Sequence, residues 1–448
     1  MTENSSLGRI LFITLGCAKN EVDTDRMRAL LLASGFEETF DVEDADAAIV
    51  NTCSFLASAT EESVEATLEL AESRAEGVRS CPIIMCGCVP SRYGDDLPEQ
   101  LPEVAAFVKA EDEDGIVDVV AGVLGVSVGA PVLDAGAMLR TVQGASAFVK
   151  ISEGCDRFCA FCAIPYIRGR YHSRPADEIV SEVSALMERG VREVVLIGQD
   201  TGIWGSDFDD DETLAKLLVR VAEVVRPYNG WVRVLYLQPE GMTDELIAAI
   251  RDTPEVLPYI DIPIQHCSAR VLKAMGRSGD PQQLHELFAK LRSEIPGMVL
   301  RTTGMAGFPG ETDEEADELF DFIESEEFDY TSVFAYSQEE GTRAAAMDGQ
   351  VDEETKLERT QRLIDLVEEL GFSATAKHVG ERVEVIVDGV EETEDGVELI
   401  GHAWFQAPDC DGAVHIASGE AAVGDIVTVD LVDSFCYEMV GEIVKEVM

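Results

Sequence analysis

The chain has 448 residues, enough for two or three domains that each bury a core of their own. Hydrophobic residues make up 46% and charged residues 27% of the sequence, as in ordinary folded proteins, which argues against extensive disorder. The 87 acidic residues outnumber the 34 basic ones and give a net charge of −53. Because binding to a phosphate backbone relies on Lys and Arg, nucleic acid is a poor candidate for the main partner.

Two further features bear on where the protein works and what it meets. No segment approaches the ~20 consecutive apolar residues of a membrane-spanning helix, and the first residues lack the basic and apolar regions of a secretory signal. We therefore expect a cytoplasmic protein. Its acidity is compatible with attraction of a basic partner, and equally with solubility or adaptation to salt.

Short apolar runs alternate with helical stretches in the first third of the chain. The predicted strands are Arg9–Leu15, Ala47–Val50 and Ile83–Met85, and the predicted helices are Thr24–Ser34 and Thr60–Ala75. This alternation predicts a parallel, doubly wound sheet. A Gly- and Ala-rich stretch, Gly122–Ala147, follows the sheet and is interpreted as a linker.

A longer alternation of the same kind occupies the middle of the chain. Its predicted strands are Phe148–Ser152, Glu193–Gly198, Val232–Leu237, Tyr259–Pro263, Met298–Thr303 and Tyr330–Tyr336. Helical patterns separate them, as in Asp177–Arg189, Thr213–Val225 and Glu314–Ser325. Six such units are too few for a closed eight-stranded barrel but enough for an open one, with ligands expected at the carboxyl ends of the strands.

The pattern changes after a last predicted helix, Glu353–Gly371. Short strand-like runs then follow one another, separated by turns that contain Gly and Asp: Arg382–Val387, Val397–Ile400, Ala413–Ala417 and Ile426–Val432. They predict a small all-β module, barrel-like in form. From Ser373 onward the chain carries 17 acidic and 3 basic residues, a net charge of −14.

The chain contains eleven cysteines, which in a reducing compartment are not expected to form structural disulfides. Cys155, Cys159 and Cys162 form a C-x3-C-x2-C loop directly after the first predicted barrel strand. Three thiolates from one loop can ligate three irons of a four-iron cluster and leave the fourth iron open to a small molecule. Zinc is the competing metal, but a structural zinc needs four ligands, and the candidate for a fourth, His172, lies ten residues further on.

A second group consists of Cys17, Cys53 and Cys88, each of which follows a predicted strand within a few residues. Because the carboxyl ends of parallel strands share one edge of a sheet, we expect these three to meet there. The alternative is three core cysteines, since free Cys is often buried. Cys86 is a rival for Cys88, although it lies within the predicted strand. The remaining cysteines are interpreted as structural: Cys81, Cys267, Cys410 and Cys436.

The segment EGCDRFCAFCAIP resembles the signature of the radical S-adenosylmethionine superfamily, whose fold is an open βα barrel with this loop after its first strand. The resemblance implies that the open iron chelates the amino and carboxylate groups of S-adenosylmethionine. It also implies reductive cleavage of that cofactor to a 5′-deoxyadenosyl radical, with Phe161 beside the adenine. Further cofactor contacts are expected from polar residues at or just past predicted strand ends: Gln199, Asp200, Gln265 and Thr303.

Two nearby features have a structural interpretation as well as a functional one. His266 is a candidate cofactor contact, or equally a satisfied structural histidine. The Gly307–Glu311 turn lacks the Gly-Lys-Ser/Thr ending of a phosphate-binding loop, so we predict a rigid loop below the cofactor. Phe308, within that turn, is predicted near the same strand ends.

With both cysteine groups in one chain, the sequence is similar to the methylthiotransferases over essentially its whole length. The blocks that carry this similarity are SEGCDRFCAFCAIPYIRGRYHSRP, IGQDTGIWGSD, DIPIQHCSARVLKAMGR, RTTGMAGFPGETDEE and FAYSQEEGTRAA. The resemblance implies an α/β protein with three domains. They are an N-terminal doubly wound domain with an auxiliary iron–sulfur cluster (1–125), a central open (βα)6 radical core (141–372) and a small all-β TRAM-like barrel (373–448).

Within that family, one branch modifies an adenosine of transfer RNA, and the other (RimO-type) modifies an aspartate of a small-subunit ribosomal protein. The segments GQDT and DIPIQH resemble the second branch more closely. So do Ala407, Pro408, Asp409, Asp411 and Gly412, which stand where that branch carries an Ala-Pro-acid-x-Asp-Gly turn. We predict that this turn, in an acidic module, docks a basic ribosomal protein; an ordinary turn is the alternative.

By this resemblance, one S-adenosylmethionine methylates sulfur at the N-terminal cluster. A second is cleaved at the core cluster so that the radical takes hydrogen from the β-carbon of the aspartate. Two four-iron clusters, S-adenosylmethionine and an external electron donor are therefore implied. Two other functions are compatible with the sequence: a transfer-RNA adenosine methylthiotransferase of the same family, and a non-catalytic iron–sulfur carrier. A carrier would normally close its clusters with four protein ligands, whereas both triads leave an iron open.

Overall fold

The computed structural model describes residues 6–75, 81–129, 140–142, 144–393 and 396–444. In these parts of the chain, no helix combines the length and the apolar character needed to cross a membrane. The chain forms two compact units. The first comprises the residues up to Thr141 with Glu153–Phe158 and Cys162–His172, and the second comprises Val142–Ser152, Cys159–Phe161 and the residues from Ser173 onward.

A parallel sheet lies at the centre of the first unit. Its strands are β1 Arg9–Thr14, β2 Glu37–Thr39, β3 Ala47–Thr52, β4 Ile83–Gly87 and β5 Val104–Lys109. The helices of this unit are α1 Ala18–Ala33, α2 Ala57–Ala75, α3 Cys88–Tyr93, α4 Leu97–Gln100, α5 Ile116–Leu124 and α6 Ile164–Ile167. Within the described residues of this unit, the strands pair in the order β2-β1-β3-β4-β5.

Helices cover both faces of this sheet. Every residue of β3 is buried, as expected for a central strand that is covered on two sides. One core joins the strands to α1 and α5, and a second core on the other face joins them to α2 and α4. The predicted doubly wound sheet is therefore confirmed.

Helix α1 begins at Ala18, before the predicted start at Thr24. Its first turns bury polar side chains, among them Asn20, Asp23 and Asp25. Apolar periodicity cannot detect a helix whose buried face is polar, which is why the sequence places the start too late.

The second unit contains a barrel of alternating strands and helices. The strands of this region are β6 Ser146–Lys150, β7 Ser152–Glu153, β8 His172–Ser173, β9 Glu193–Ile197, β10 Trp231–Val234, β11 Tyr259–Gln265, β12 Val299–Ala306 and β13 Tyr330–Ala335. The helices are α7 Ala176–Glu188, α8 Leu214–Val225, α9 Asp244–Asp252, α10 Ala269–Met275, α11 Pro281–Glu294 and α12 Asp313–Glu326. The predicted linker Gly122–Ala147 is too long at both ends, because α5 runs to Leu124 and β6 begins at Ser146. Residues 130–139 and 143 of this predicted linker lie outside the described residues.

The barrel is open, as predicted. Among the described strands, β6, β9 and β10 form one parallel sheet and β11, β12 and β13 form another. The backbone N–H of Leu237, after β10, donates to the carbonyl of Asp261 in β11 at 3.0 Å, so the second sheet continues the curve of the first. The apolar side chains of the strands and of the surrounding helices form one core.

The chain ends in a closed β-barrel, here called the β module. It follows helix α13, Glu353–Ala376, and its strands are β14 Arg382–Thr393, β15 Gly396–Ala403, β16 Val414–Ser418, β17 Ile426–Ser434 and β18 Met439–Ile443. In the described residues they close in the order β14-β15-β16-β18-β17, which confirms the predicted all-β module. The sequence does not predict β18, whose Gly441 interrupts the apolar pattern. A Cβ there would lie 2.2 Å from Val429, so the close approach of two strands requires glycine.

The β module packs against the amino ends of the barrel strands. Glu193, the first residue of β9, pairs with His402 of β15. Tyr259, the first residue of β11, donates a hydrogen bond to Asp411, which precedes β16. The carboxyl ends of the strands, where ligands are expected, therefore lie at the opposite end of the barrel from the module.

These contacts correct the docking prediction for Asp411. Its side chain is buried, and its Oδ1 accepts a hydrogen bond from Nε of Arg301 at 3.1 Å. Oδ2 accepts from the backbone N–H of Ala407 at 2.9 Å and from the hydroxyl of Tyr259. A carboxylate that is fully bonded inside the molecule cannot dock a partner, so the prediction is wrong for Asp411. Asp409 in the same turn is exposed, with a left-handed φ of +62°.

Candidate iron–sulfur and cofactor sites

Three neighbouring strands deliver the N-terminal cysteines to one edge of the sheet. Cys17 follows β1 and is the N-cap of α1, Cys53 directly follows β3, and Cys88 begins α3 after β4. In the sheet β1 pairs with β3 and β3 pairs with β4, in parallel. The structure therefore brings these three predicted site residues to one carboxyl edge.

Tight backbone packing surrounds the three cysteines. Gly16 has a φ of +108°, and a Cβ on it would lie 2.7 Å from Cβ of Cys53. Beside it, the thiol of Cys17 donates to Oδ1 of Asn20 at 3.5 Å, and Nδ2 of Asn20 donates to the carbonyl of Thr52 at 2.8 Å. Asn20 thus ties the residues after β1 to the end of β3, and only glycine fits at position 16 without strain.

The thiols interact electrostatically. Burial raises the pKa of Cys53, and it raises the pKa of Cys88 to about 11. The charge of Cys17 adds to both shifts, and that of Cys53 adds to the shift of Cys88, whereas Arg168 lowers both pKa values. The three sulfur atoms are thus close enough to influence one another, and metal binding at this site requires loss of thiol protons at neutral pH.

Cys86 and Cys88 have different surroundings. Cys86 lies inside β4 opposite Asn51 and is fully buried in the core formed with α1 and α5. Burial raises the pKa of its thiol well above the ordinary value. Cys88 instead lies past the strand end, where its neighbours include the other two cysteines. The contrast favours Cys88 as the third ligand.

Backbone contacts hold the residues of the second cysteine loop within each compact unit. In the first unit, the N–H of Cys155 donates to the carbonyl of Gly169 at 3.2 Å, and a Cβ on Gly154 would lie 2.1 Å from the carbonyl oxygen of Arg170. Phe158 adopts a left-handed φ of +47°, an unfavourable conformation for a non-glycine residue. Such strain persists only where the surroundings enforce it, which is common at functional sites.

The part of the loop in the second unit is bonded on both sides to the barrel. The N–H of Ala160 donates to the carbonyl of Met275 at 2.7 Å, and its own carbonyl accepts from Ala344 at 2.8 Å. Phe161 is partly buried against an apolar cluster that includes Phe308. These bonds fix the backbone directly before Phe161.

The donor atoms fit the group that the sequence implies. In the described residues, no three His, Cys, Asp or Glu side chains are arranged to hold a single metal ion. Cysteines that ligate a four-iron cluster each bind a different iron, so they need not converge on one point as the ligands of a single ion do. Soft thiolate ligands suit iron–sulfur clusters, and each triad would supply three of the four ligands that such a cluster needs.

Most of the other predicted cofactor contacts lie at the carboxyl ends of the barrel strands. Gln199 and the buried Asp200 follow β9, and Gln265, with a left-handed φ of +67°, is the last residue of β11. The predicted position of Thr303 at a strand end is wrong, because β12 continues beyond it to Ala306. Gly304 suggests a turn in the sequence, but it pairs with β13 and continues the strand.

His266 and the Gly307–Glu311 turn have internal partners. Nδ1 of His266 accepts from the N–H of Ser268 at 2.9 Å, and burial lowers the pKa of this histidine to about 4. In the turn, Oε2 of Glu311 accepts from the N–H of Gly307 at 2.9 Å and from the N–H of Phe308 at 3.2 Å. The bonds of Glu311 close the turn on itself. In the part of the chain that the structure describes, Nε2 of His266 is buried without a hydrogen-bond partner, so a cofactor contact and a structural role both stay open for this residue.

Two arginines near the cysteines are not among the predicted site residues. Nη1 of Arg277 lies 3.9 Å from the sulfur of Cys159, and its Nη2 donates to the carbonyl of Pro263 at 2.8 Å. Arg168 is buried beside the N-terminal cysteines. No sequence spacing distinguishes them from surface arginines, although Arg168 follows the core cysteines closely.

Three family models match the chain. The Radical SAM superfamily matches residues 149–323, Uncharacterized protein family UPF0004 matches residues 9–109, and the TRAM domain matches residues 379–444. The chain is 42% identical over 452 residues to the ribosomal protein uS12 methylthiotransferase RimO of Pelobacter propionicus, covering 98% of this chain and 99% of the relative. The enzyme of the same name from Trichlorobacter lovleyi is 41% identical, covering 99% of this chain and all of the relative. The chain belongs to the RimO-type methylthiotransferase family of radical S-adenosylmethionine enzymes.

This methylthiotransferase also resembles a solved structure. The radical S-adenosylmethionine methyltransferase TsrM from Kitasatospora setae superposes with a TM-score of 0.56 at 13% identity, covering 73% of this chain and 72% of that one. At this identity the likeness concerns the fold alone. Membership of the family implies that this methylthiotransferase uses a four-iron cluster and S-adenosylmethionine.

Proposed function

We propose that this chain methylthiolates the β-carbon of an aspartate in ribosomal protein uS12 and that it uses two S-adenosylmethionine molecules and two four-iron clusters. The proposed ligands are Cys155, Cys159 and Cys162 for the core cluster and Cys17, Cys53 and Cys88 for the N-terminal cluster. The main support is the position of Cys17, Cys53 and Cys88 at the same edge of one parallel sheet. The full-length relatives named as uS12 methylthiotransferases support the choice of substrate.

The residues of the chain act by positioning and by electrostatics. When bound, the core cluster would supply the electron for reductive cleavage of S-adenosylmethionine, and the N-terminal cluster would carry the sulfur that is methylated and transferred. Phe161, held by the bonds of Ala160 to the barrel, offers an aromatic face to the adenine. Three polar side chains at the strand ends, Gln199, Asp200 and Gln265, orient the rest of the cofactor, together with Thr303 from within β12. Correct placement of reacting groups accounts for much of enzymatic rate acceleration.

The charge of the chain supports a protein substrate. With a net charge of −53, the surface attracts basic proteins and repels phosphate backbones. A basic ribosomal protein therefore fits as the substrate better than a nucleic acid does. The reaction also requires an electron donor, which we propose is a separate protein or small reductant of the cytoplasm.

Mass spectrometry of small-subunit ribosomal proteins tests this function directly. Ribosomes would be compared from wild-type cells, cells that lack the gene, and deletion cells complemented with a Cys17→Ala, Cys53→Ala, Cys88→Ala variant. We expect a mass gain of one methylthio group on an aspartate of uS12 in wild-type cells alone. If uS12 is identical in all strains and a methylthioadenosine of transfer RNA disappears with the gene, the chain is a transfer-RNA enzyme instead.

A further inference from the structure

Arg168 connects the segment after the core cysteine loop to the N-terminal cysteines. It follows α6 directly and belongs, with that helix, to the first compact unit. Cys88 forms a small buried cluster with Ala163 and Ile167 of the same segment. The side chain of Arg168 is only 3% exposed, and burying a guanidinium is costly unless its bonds and its charge are satisfied.

The guanidinium has a defined set of partners on α1. Its Nη1 donates to Oδ2 of Asp23 at 2.7 Å, and its Nη2 donates to Oδ1 of Asn20 at 3.2 Å. Glu153 lies 3.7 Å from Nη1. Asp23 is itself buried, so the pair is a fixed element of the interior and not a surface contact. These bonds determine where the guanidinium lies.

The same guanidinium faces the cysteines. Arg168 interacts electrostatically with Cys88 and Cys53, and Ile167, which directly precedes it, packs against Cys88. Asn20, which accepts from Arg168, also accepts from the thiol of Cys17. Arg168 therefore adjoins the residue that packs on Cys88, and it shares the amide of Asn20 with Cys17.

We propose that Arg168 is a positioning residue for the N-terminal cluster: held by Asp23 and Asn20, its guanidinium stabilises the reduced, more negative state of that cluster and raises its reduction potential. This inference rests on the proposed function, because it assumes that Cys17, Cys53 and Cys88 bind the cluster. Hydrogen bonds to sulfur and nearby charge are known determinants of iron–sulfur potentials. In a buried site, a cation acts with little screening by solvent.

A second buried arginine of the same unit provides a matched control. Arg140 pairs with Asp25, two residues after Asp23 on α1, and is as buried as Arg168. Its partner Asp25 accepts from Arg140 and from Thr141, whereas Asn20, the partner of Arg168, also accepts from the thiol of Cys17. A purely structural arginine should therefore behave as Arg140 does.

The experiment measures the potential of the N-terminal cluster alone. The full-length chain with Cys155→Ala, Cys159→Ala and Cys162→Ala would be reconstituted with iron and sulfide under anaerobic conditions. Iron content and an EPR-monitored redox titration would be recorded for this background and after addition of Arg168→Gln or Arg140→Gln. We expect Arg168→Gln to disfavour the reduced state about tenfold, a fall of about 59 mV for one electron. Arg140→Gln should leave the potential unchanged.

Other outcomes would reject the proposed role of Arg168. If Arg168→Gln retains its iron at the potential of the background protein, Arg168 is a structural residue only. If both arginine variants lower the potential equally, the effect is a general one of buried charge, and the specific role is rejected. If Arg168→Gln does not assemble the cluster, Arg168→Met is titrated instead; it removes the charge but keeps an apolar stem of similar length, and an unchanged potential in it overturns the inference. Failure of the background protein itself to bind iron would instead reject the proposed function.

Discussion

The hydroxyl of Tyr259, at the start of a barrel strand, donates a hydrogen bond to the carboxylate of Asp411 in the β module. Arg301 donates to the same carboxylate, and all three groups are largely removed from solvent. Burial raises the pKa of Asp411, opposed chiefly by the charge of Arg301. The turn before β16 therefore holds the module on the barrel.

Asp411→Asn should accordingly destabilise the protein. The amide would present hydrogens to donors and would leave Arg301 as a buried cation with one partner fewer, at a cost of roughly 3–5 kcal/mol in the free energy of unfolding. Asp409→Asn is the control, since Asp409 is exposed and Asn tolerates its left-handed conformation; it should stay within about 0.5 kcal/mol. Chemical denaturation checks both, and equal stability of the two variants would contradict the role of Asp411.

Asp409 remains the residue of the turn with which to test docking. If the acidic module steers a basic ribosomal protein, Asp409→Lys should weaken uS12 binding at low ionic strength, and the difference should shrink as salt is added, because exposed charges are screened. Binding would be measured by titration calorimetry or anisotropy over a salt series. Substrate-free cleavage of S-adenosylmethionine should not change. A salt-independent loss of binding, or none at low salt, would remove Asp409 from the interface.

Iron analysis tests the two cysteine groups. Anaerobically reconstituted protein should contain about eight irons, as two four-iron clusters require. Replacement of either triad by Ala should halve this number, whereas Cys86→Ala should retain it because Cys86 lies in the core. Colorimetric iron and sulfide assays are sufficient. Loss of half of the iron in Cys86→Ala would move the third ligand from Cys88 to Cys86.

Cleavage of S-adenosylmethionine and methylthiolation of uS12 should depend on different cysteine groups. A variant with Cys17, Cys53 and Cys88 replaced by Ala should still release 5′-deoxyadenosine from S-adenosylmethionine, since only the core site supplies the electron. It should form no methylthiolated uS12. Chromatography of the nucleoside and mass analysis of uS12 give the two readouts from one reaction. A folded variant that releases no 5′-deoxyadenosine would show that the sites are not independent.

His402 should make stability depend on pH. Burial alone would lower its pKa, but Glu193 and Asp388 outweigh burial and raise the pKa from 6.5 to about 9. Two more charged groups lie nearby. Arg233 is bonded to Glu193, and Asp409 interacts electrostatically with His402. A histidine with a raised pKa stabilises the folded state fully below its unfolded pKa, and this contribution disappears as pH rises towards the folded value.

The free energy of unfolding should therefore fall by roughly 3 kcal/mol between about pH 6.5 and pH 9 through His402 alone. The His402→Gln variant should be less stable at pH 6 and should lack this part of the pH profile. Urea denaturation of both proteins across this range checks the prediction. Parallel profiles of variant and wild type would assign the dependence to other groups.

Sequence reasoning predicts most of the architecture, because apolar runs alternate with helical periods throughout and the cysteines mark strand ends. Its failures have definite causes. The composition of the Asp409–Gly412 turn does not reveal which side chain points inwards, so the sequence alone predicts Asp411 at the surface. Gly304 suggests a strand end although the backbone continues in register with β13.

The polar residues that build the N-terminal site were the least predictable. Asn20 and Asp23 lie on a buried helix face where an apolar residue is expected, and Arg168 comes from a distant part of the sequence. Contacts between residues far apart in the chain leave no local pattern. By contrast, Cys88 could be preferred over Cys86 from position alone, since a parallel sheet presents its carboxyl ends to ligands.

The attachment of the β module to the amino ends of the barrel strands limits the shape of a substrate that the module grips. The eight residues of β12 extend roughly 25 Å, whereas an aspartate side chain reaches only a few ångströms from its backbone. A protein held at the module must therefore bring its target along the whole height of the barrel. Only a protruding loop or an extended chain end has that reach, so a protein held in this way could not present an aspartate from a flat surface to the strand ends.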